Sequence, residues 1–261
     1  MEIITSLQNP RVKLVNGLQT RPRTRRKEHK IVLEGTRLLR DAVERGHKPE
    51  FIFYEAQTVD HFLLADLQER NFELLPVNAE VMQYMSDTQQ PQGIIGVFPL
   101  PLPRLPDKPK RVLVLDNVRD PGNMGGVLRT AAASGVQVAV LSPGCADPYN
   151  PKALRSGMGA HFRIPVIEGT WEQIADYCKW LNVYLAAADG TQTHDAVDWT
   201  KPWALVIGSE AHGVSDEASQ IENAQRVSIP MAAQTESLNA MVAGAVILFE
   251  AQRQERVLSK S

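Results

Sequence analysis

The chain has little cysteine, little net charge and no long apolar run. Its two cysteines, Cys145 and Cys178, share no close spacing with each other or with histidines. Neither a disulfide framework nor a metal centre is expected from them, and both read as packing residues. No window approaches the ~18 uncharged apolar residues of a membrane span, and the N-terminus lacks the apolar core of a secretory signal. A cytoplasmic protein without membrane contact is the expectation. Two glycine patterns are also missing. Neither G-x-G-x-x-G nor G-x-x-x-x-G-K-[ST] follows a strand here, so dinucleotide binding and P-loop chemistry have no support.

What is present supports a sizeable core: 261 residues, 43% hydrophobic and 22% charged, enough for one large or two modest domains. The net charge of −2 hides an uneven distribution. Residues 1–30 carry Arg11, Lys13, Arg21, Arg23, Arg25, Arg26, Lys27 and Lys30 against Glu2 and Glu28. Such a local surplus can track a phosphate backbone, which makes Arg21, Arg23, Arg25, Arg26, Lys27 and Lys30 the nucleic-acid-binding candidates on a basic N-terminal arm. A solvated arm and an Arg-rich transit segment share that composition.

From Ile31 to Phe98, strand-like runs alternate with helical spacing: Ile31–Glu34, Thr36–Glu44, Phe51–Tyr54, Val59–Glu69, Phe72–Pro76, Ala79–Met85 and Gly93–Phe98. This predicts a small α/β domain over 1–98. Repeated prolines at 99–110 predict a semi-rigid linker. Alternation resumes over 111–261, with strands at 111–116, 136–141, 163–167, 183–187 and 204–207 and helices near 123–133, 151–158 and 171–181. That pattern predicts a mostly parallel sheet covered by helices, with ligands held beyond the carboxyl ends of its strands.

Three stretches of this second region gather polar residues where chemistry needs them. Asp116-Asn-Val-Arg-Asp-Pro-Gly-Asn-Met-Gly-Gly-Val-Leu-Arg turns through Pro121 and Gly122 into a helix bearing Asn123 and Arg129, and a guanidinium there can meet a phosphate. Ala204-Leu-Val-Ile-Gly-Ser-Glu-Ala-His-Gly runs from a strand into a small-residue turn, where Gly208 permits close backbone approach and Glu210 places a carboxylate. His212 is a lone histidine and reads as an exposed loop residue. The third stretch, Arg226-Val-Ser-Ile-Pro-Met to Phe249, feeds a helix expected to start near Ser237, with Ser237 as its cap and Asn239 in its first turn. Ala243, Gly244 and Ala245 weaken that helix but admit another backbone closely.

In this order and at these separations, the three stretches resemble the SpoU/TrmH family of RNA ribose 2′-O-methyltransferases of the SPOUT superfamily. The resemblance covers Arg111 to about Arg256. The first domain is similar to the substrate-binding module that precedes many such catalytic domains, itself like a small ribosomal protein; Ser6-Leu-Gln-Asn-Pro-Arg-Val-Lys and Val32-Leu-Glu-Gly-Thr-Arg-Leu-Leu carry that likeness. The resemblance implies a C-terminal α/β trefoil knot, a homodimer, and S-adenosyl-L-methionine among Ile207, Gly208, Ser209, Glu210, Ile229, Met231 and Leu238. It places Asn123, Arg129, Glu210, Ser237 and Asn239 at catalytic positions. No metal is implied. Glu210 either acts on substrate or holds the turn, and Arg129 is the family's proposed general base or, on pKa grounds, a phosphate clamp. Ribosomal RNA is the expected substrate, ahead of transfer RNA; an inactive RNA-binding protein of the same fold is the competing reading.

Overall fold

The basic N-terminal stretch is not an arm. It folds as α1 (Pro10–Thr20) and α2 (Pro22–Glu28), each opened by a proline in its first turn, where a missing N–H removes no helical bond. Val12, Val15 and Leu18 turn inward from α1 and anchor it. Arg25 is only 2% exposed, and its guanidinium donates to the carbonyls of Leu18 and Gln19. It closes the end of α1 rather than facing a polyanion, which corrects its place among the RNA-binding candidates. Arg21, Arg23, Arg26 and Lys27 stay exposed, while Lys30 pairs with Glu50 at 2.7 Å.

This computed structural model describes residues 2–232 and 238–259. The chain forms two units: Met1–Pro101 with Tyr149–Phe162, and Leu102–Pro148 with Arg163–Ser261. In the first, α1 and α2 lead into β1 (Lys30–Glu34), α3 (Thr36–Glu44), β2 (Phe51–Tyr54), α4 (His61–Glu69), β3 (Leu74–Pro76), α5 (Ala79–Met85) and β4 (Ile94–Pro99). The sheet order is β1-β4-β2-β3, with β4 antiparallel to both its neighbours and β2 parallel to β3. Because strand side chains alternate, Ile31 and Leu33 of β1 enter one apolar cluster and Val32 the other. Helices α3 and α4 cover the first face, and α1 and α5 the second.

The second unit begins with β5 (Arg111–Leu115), α6 (Pro121–Ser134) and β6 (Val138–Leu141). The chain then returns to the first unit with α7 (Pro151–Gly157), whose Leu154 joins the cluster beneath α3 and α4 and whose Arg155 pairs with Asp87 at 2.7 Å. The linear division at residue 111 therefore misses this excursion. β7 (Val166–Glu168), α8 (Trp171–Cys178), β8 (Asn182–Ala186), β9 (Gln192–Thr193), β10 (Trp203–Ile207), α9 (Asp216–Ser219), β11 (Gln225–Ser228) and α10 (Ala240–Leu258) complete the unit. Its seven strands run β7-β6-β5-β10-β8-β11-β9, and every pairing among them is parallel. Cys178 is buried under this sheet, and burial pushes its thiol up to about 12; burial raises that of Cys145 as well, so both stay protonated and unreactive at neutral pH.

α10 starts two residues later than the cap at Ser237 would place it. Asn239 is the N-cap, its side chain accepting from the Met241 N–H at 2.9 Å; Ser237 lies outside the described residues. The buried stripe of α10 is Ala240, Gly244, Ile247, Leu248 and Ala251. A Cβ at Gly244 would stand 2.6 Å from Ile207 Cδ1, and one at Gly126 of α6 would overlap the Met241 sulfur, so either would push a packed side chain aside. The small residues thus seat α10 directly on α6 and on the end of β10.

Candidate active site

Parallel strands end together, so their following loops share one rim. Ala187–Asp189 follow β8, Gly208–Val214 follow β10 and Ile229–Met231 follow β11. Together with the start of α10 they enclose a cavity of about 710 Å³. All seven residues expected to hold the cofactor line it: Ile207, Gly208, Ser209, Glu210, Ile229, Met231 and Leu238.

The β10 loop owes its shape to backbone contact. Ser209 and Gly213 exchange two N–H···O bonds of 2.9 Å, and the Ser209 hydroxyl accepts from the His212 N–H at 3.2 Å. Gly208 lies flat against that turn, where a Cβ would overlap the Gly213 carbonyl and the Val214 nitrogen. Gly213 adopts φ +68, the left-handed region that favours glycine. Asp116, 1% exposed at the end of β5, fastens the loop from below, accepting from the Ser215 N–H at 2.6 Å and, more weakly, from the Ser142 hydroxyl at 3.4 Å.

Asn123 reaches this loop from α6. Asp120 caps the helix by accepting from the Asn123 N–H at 2.8 Å, and Asn123 Nδ2 donates to Glu210 Oε1 at 2.6 Å. The first two polar motifs are therefore joined by a charge-assisted bond. Arg129 is not part of that junction. It lies six residues farther on, about 9 Å along the helix axis, exposed, and its side chain has no ion pair or hydrogen bond among the described residues. Asn239 is exposed at the mouth of α10 with its side-chain oxygen committed to capping. His212 is exposed, as its sequence context indicated, though its loop borders the cavity.

Sequence reasoning missed Asp189 and Arg226, which also line the cavity and pair through two 2.8 Å bonds from Arg226 Nη1. A positional signal existed for Asp189, which follows the carboxyl end of β8, the strand next to β10; Arg226 lies inside β11 and carried no such signal. Among the described residues, no three histidine, cysteine or acidic side chains gather as a metal site.

The profile of the SpoU rRNA methylase family matches residues 110–249. The chain belongs to this family. A second profile, that of the MRM3-like substrate-binding domain, matches residues 9–96 of this SpoU-family chain. It is 34% identical to the mitochondrial rRNA methyltransferase 3 of Mus musculus, over 89% of this chain and 69% of that protein. It is 31% identical to the 23S rRNA (guanosine(2553)-2′-O)-methyltransferase RlmP of Bacillus subtilis, over 95% and 98%. The crystal structure of an AdoMet-bound rRNA methyltransferase from Sinorhizobium meliloti superposes with a TM-score of 0.83 at 30% identity, covering 97% of each chain. The expected α/β architecture with a parallel sheet is thereby confirmed for this SpoU-family member.

Proposed function

We propose that the chain transfers a methyl group from S-adenosylmethionine to a ribose 2′-hydroxyl of ribosomal RNA of the 23S type. The observation that carries this reading is the cavity at the ends of β8, β10 and β11, with the Asn123–Glu210 bond at its edge. Its size lies within the range of ordinary small-molecule sites, its floor is apolar at Ile207, Leu238 and Ile247, and its loops present backbone groups for an adenine edge. Those features fit the cofactor. When bound, S-adenosylmethionine supplies a methyl on a positively charged sulfur, so the protein must deliver an oxygen in line and manage its proton. Asn123 and Asn239 orient the ribose at the helix starts, and Arg129 holds the adjacent phosphate and the developing alkoxide. Ser237 is assigned by family pattern alone.

The test exploits the fact that a 2′-O-methyl group blocks alkaline cleavage of the next phosphodiester. Labelled methyl donor incubated with RNA from cells lacking the modification should label large-subunit rRNA, and alkali should release the label as dinucleotides. Label released in mononucleotides would mean base methylation and sink the proposal.

The same reading includes a cytoplasmic homodimer and a knotted second unit. Val242, Val246 and Phe249 form an exposed apolar stripe on α10, opposite the one that faces α6, which is the kind of surface a second copy covers. Sedimentation of the wild-type chain should give twice the monomer mass, and Phe249→Asp should sediment as monomer; a monomeric wild type would refute the dimer. The knot requires tight threading beside Ala243, Gly244 and Ala245, and an experimental backbone trace that unties on closure would refute it.

A further inference from the structure

The first unit has two different polar surfaces, at opposite ends of β1. The basic residues of α2 lie where β1 begins, since α2 ends at Glu28 and β1 starts at Lys30. The other surface lies where β1 and β2 end and β4 begins, and it is built from loops hydrogen-bonded to buried carboxylates. Glu34, 7% exposed, accepts from the Asp87 N–H at 3.0 Å, the Thr88 hydroxyl at 2.7 Å, Gln19 Nε2 at 3.2 Å and the Ser86 hydroxyl. Glu55, 8% exposed, accepts from the Thr58 hydroxyl. Gln92 joins the two loops by accepting from the Thr36 N–H at 3.1 Å, and Glu55 N–H donates to the Gly93 carbonyl at 2.9 Å.

A loop edge ordered by two buried acids spends stability on shape, since each carboxylate loses hydration and must recover it from hydrogen bonds. Its outer face carries groups that suit unpaired RNA. Phe62, at the second position of α4, is 88% exposed, although phenylalanine favours burial. Gln57, in the loop before α4, and Gln89 and Gln90, in the loop before β4, are exposed as well. Electrostatics permit a polyanion there. Glu34 and Glu55 are buried, Asp60 pairs with Arg40 at 3.1 Å, and Asp87 pairs with Arg155 at 2.7 Å. Arg37, one turn before Arg40 on α3, is exposed with no ion pair among the described residues.

We propose that this loop edge is the sequence-reading RNA surface of the first unit, stacking an unpaired base on Phe62 and holding a neighbouring phosphate with Arg37. The inference rests on the proposed action on ribosomal RNA and divides the labour of recognition within it. The α2 cations supply charge attraction that ignores sequence, and the loop edge supplies selection, because phosphates position while bases specify.

The test measures binding of the full chain to an unmodified large-subunit rRNA transcript and to poly(U), each over a range of salt. Phe62→Ala should weaken binding to the transcript roughly tenfold with the salt slope unchanged, and Phe62→Tyr should restore it. Arg23→Gln with Arg26→Gln and Lys27→Gln should weaken both RNAs alike and flatten the slope. Wild-type binding by Phe62→Ala overturns the proposal, as does a loss that tyrosine does not restore or a loss of discrimination in the α2 variant. Methyl transfer is scored separately: a chain that transfers no methyl yet loses transcript binding in Phe62→Ala refutes the proposed reaction and leaves this surface standing.

Discussion

Arg129→Ala is expected to lower methyl transfer by about 10²- to 10³-fold, the usual cost of losing one donor aimed at developing charge, while leaving S-adenosylmethionine affinity intact. The guanidinium lies outside the cavity lining and bonds to none of the described residues, so its removal leaves no buried group unpaired and should not alter stability. Its value must therefore lie in what it offers RNA. A guanidinium with a pKa above ~12 resists giving up a proton and so makes a poor general base, but its fork matches two phosphate oxygens. Arg129→Lys keeps the charge and loses the fork, and should fall between the wild type and Arg129→Ala. Single-turnover transfer and calorimetric titration of the cofactor separate the two effects. Near-normal transfer by Arg129→Lys would refute a role for the fork; weakened cofactor binding in Arg129→Ala would move the residue into the cavity.

Gly208→Ala is expected to weaken cofactor binding by about 10- to 100-fold and to lower thermal stability, from an overpacking cost of roughly 1–3 kcal/mol. The added methyl would overlap the Gly213 carbonyl and the Val214 nitrogen, and backbone cannot swing aside as a long side chain can. Relief must come from displacing the turn from Ser209 to Gly213, which forms one wall of the cavity and carries Glu210. Asn123 then loses its 2.6 Å partner, so transfer should suffer beyond what weaker binding explains. Calorimetry and a melting curve on the variant check this. Wild-type cofactor affinity in Gly208→Ala would show that the close approach of the two backbones does not shape the site.

Most of the layered architecture was legible because it depends on local periodicity. The spans Thr36–Glu44, Phe51–Tyr54 and Ala79–Met85 match the residues themselves, since the switch between two-residue and 3.6-residue spacing is sharp there. The lining of the cavity was legible for a different reason: its glycines and short polar residues follow strand ends, and a parallel sheet brings strand ends together. Charge misled where it outweighed pattern. The density of arginines around Arg25 drew attention from the stripe of Val12, Val15 and Leu18, which is what folds that stretch. The Asn123–Glu210 bond spans 87 positions, and no local rule encodes a contact at that separation. The cap at Asn239 rather than Ser237 reflects the ordinary uncertainty of a helix start preceded by several polar residues.

The excursion of Tyr149–Phe162 makes the two halves of this polypeptide a case of fragment complementation built into one chain. A protease cutting between Pro101 and Leu102 would sever the backbone, yet the downstream piece would still have its own α7 docked in the upstream piece, with Leu154 in the apolar cluster and Arg155 on Asp87. Expressed apart, neither piece is whole: the first lacks a helix from its core, and the second carries the apolar side chains of that helix with nothing to bury them.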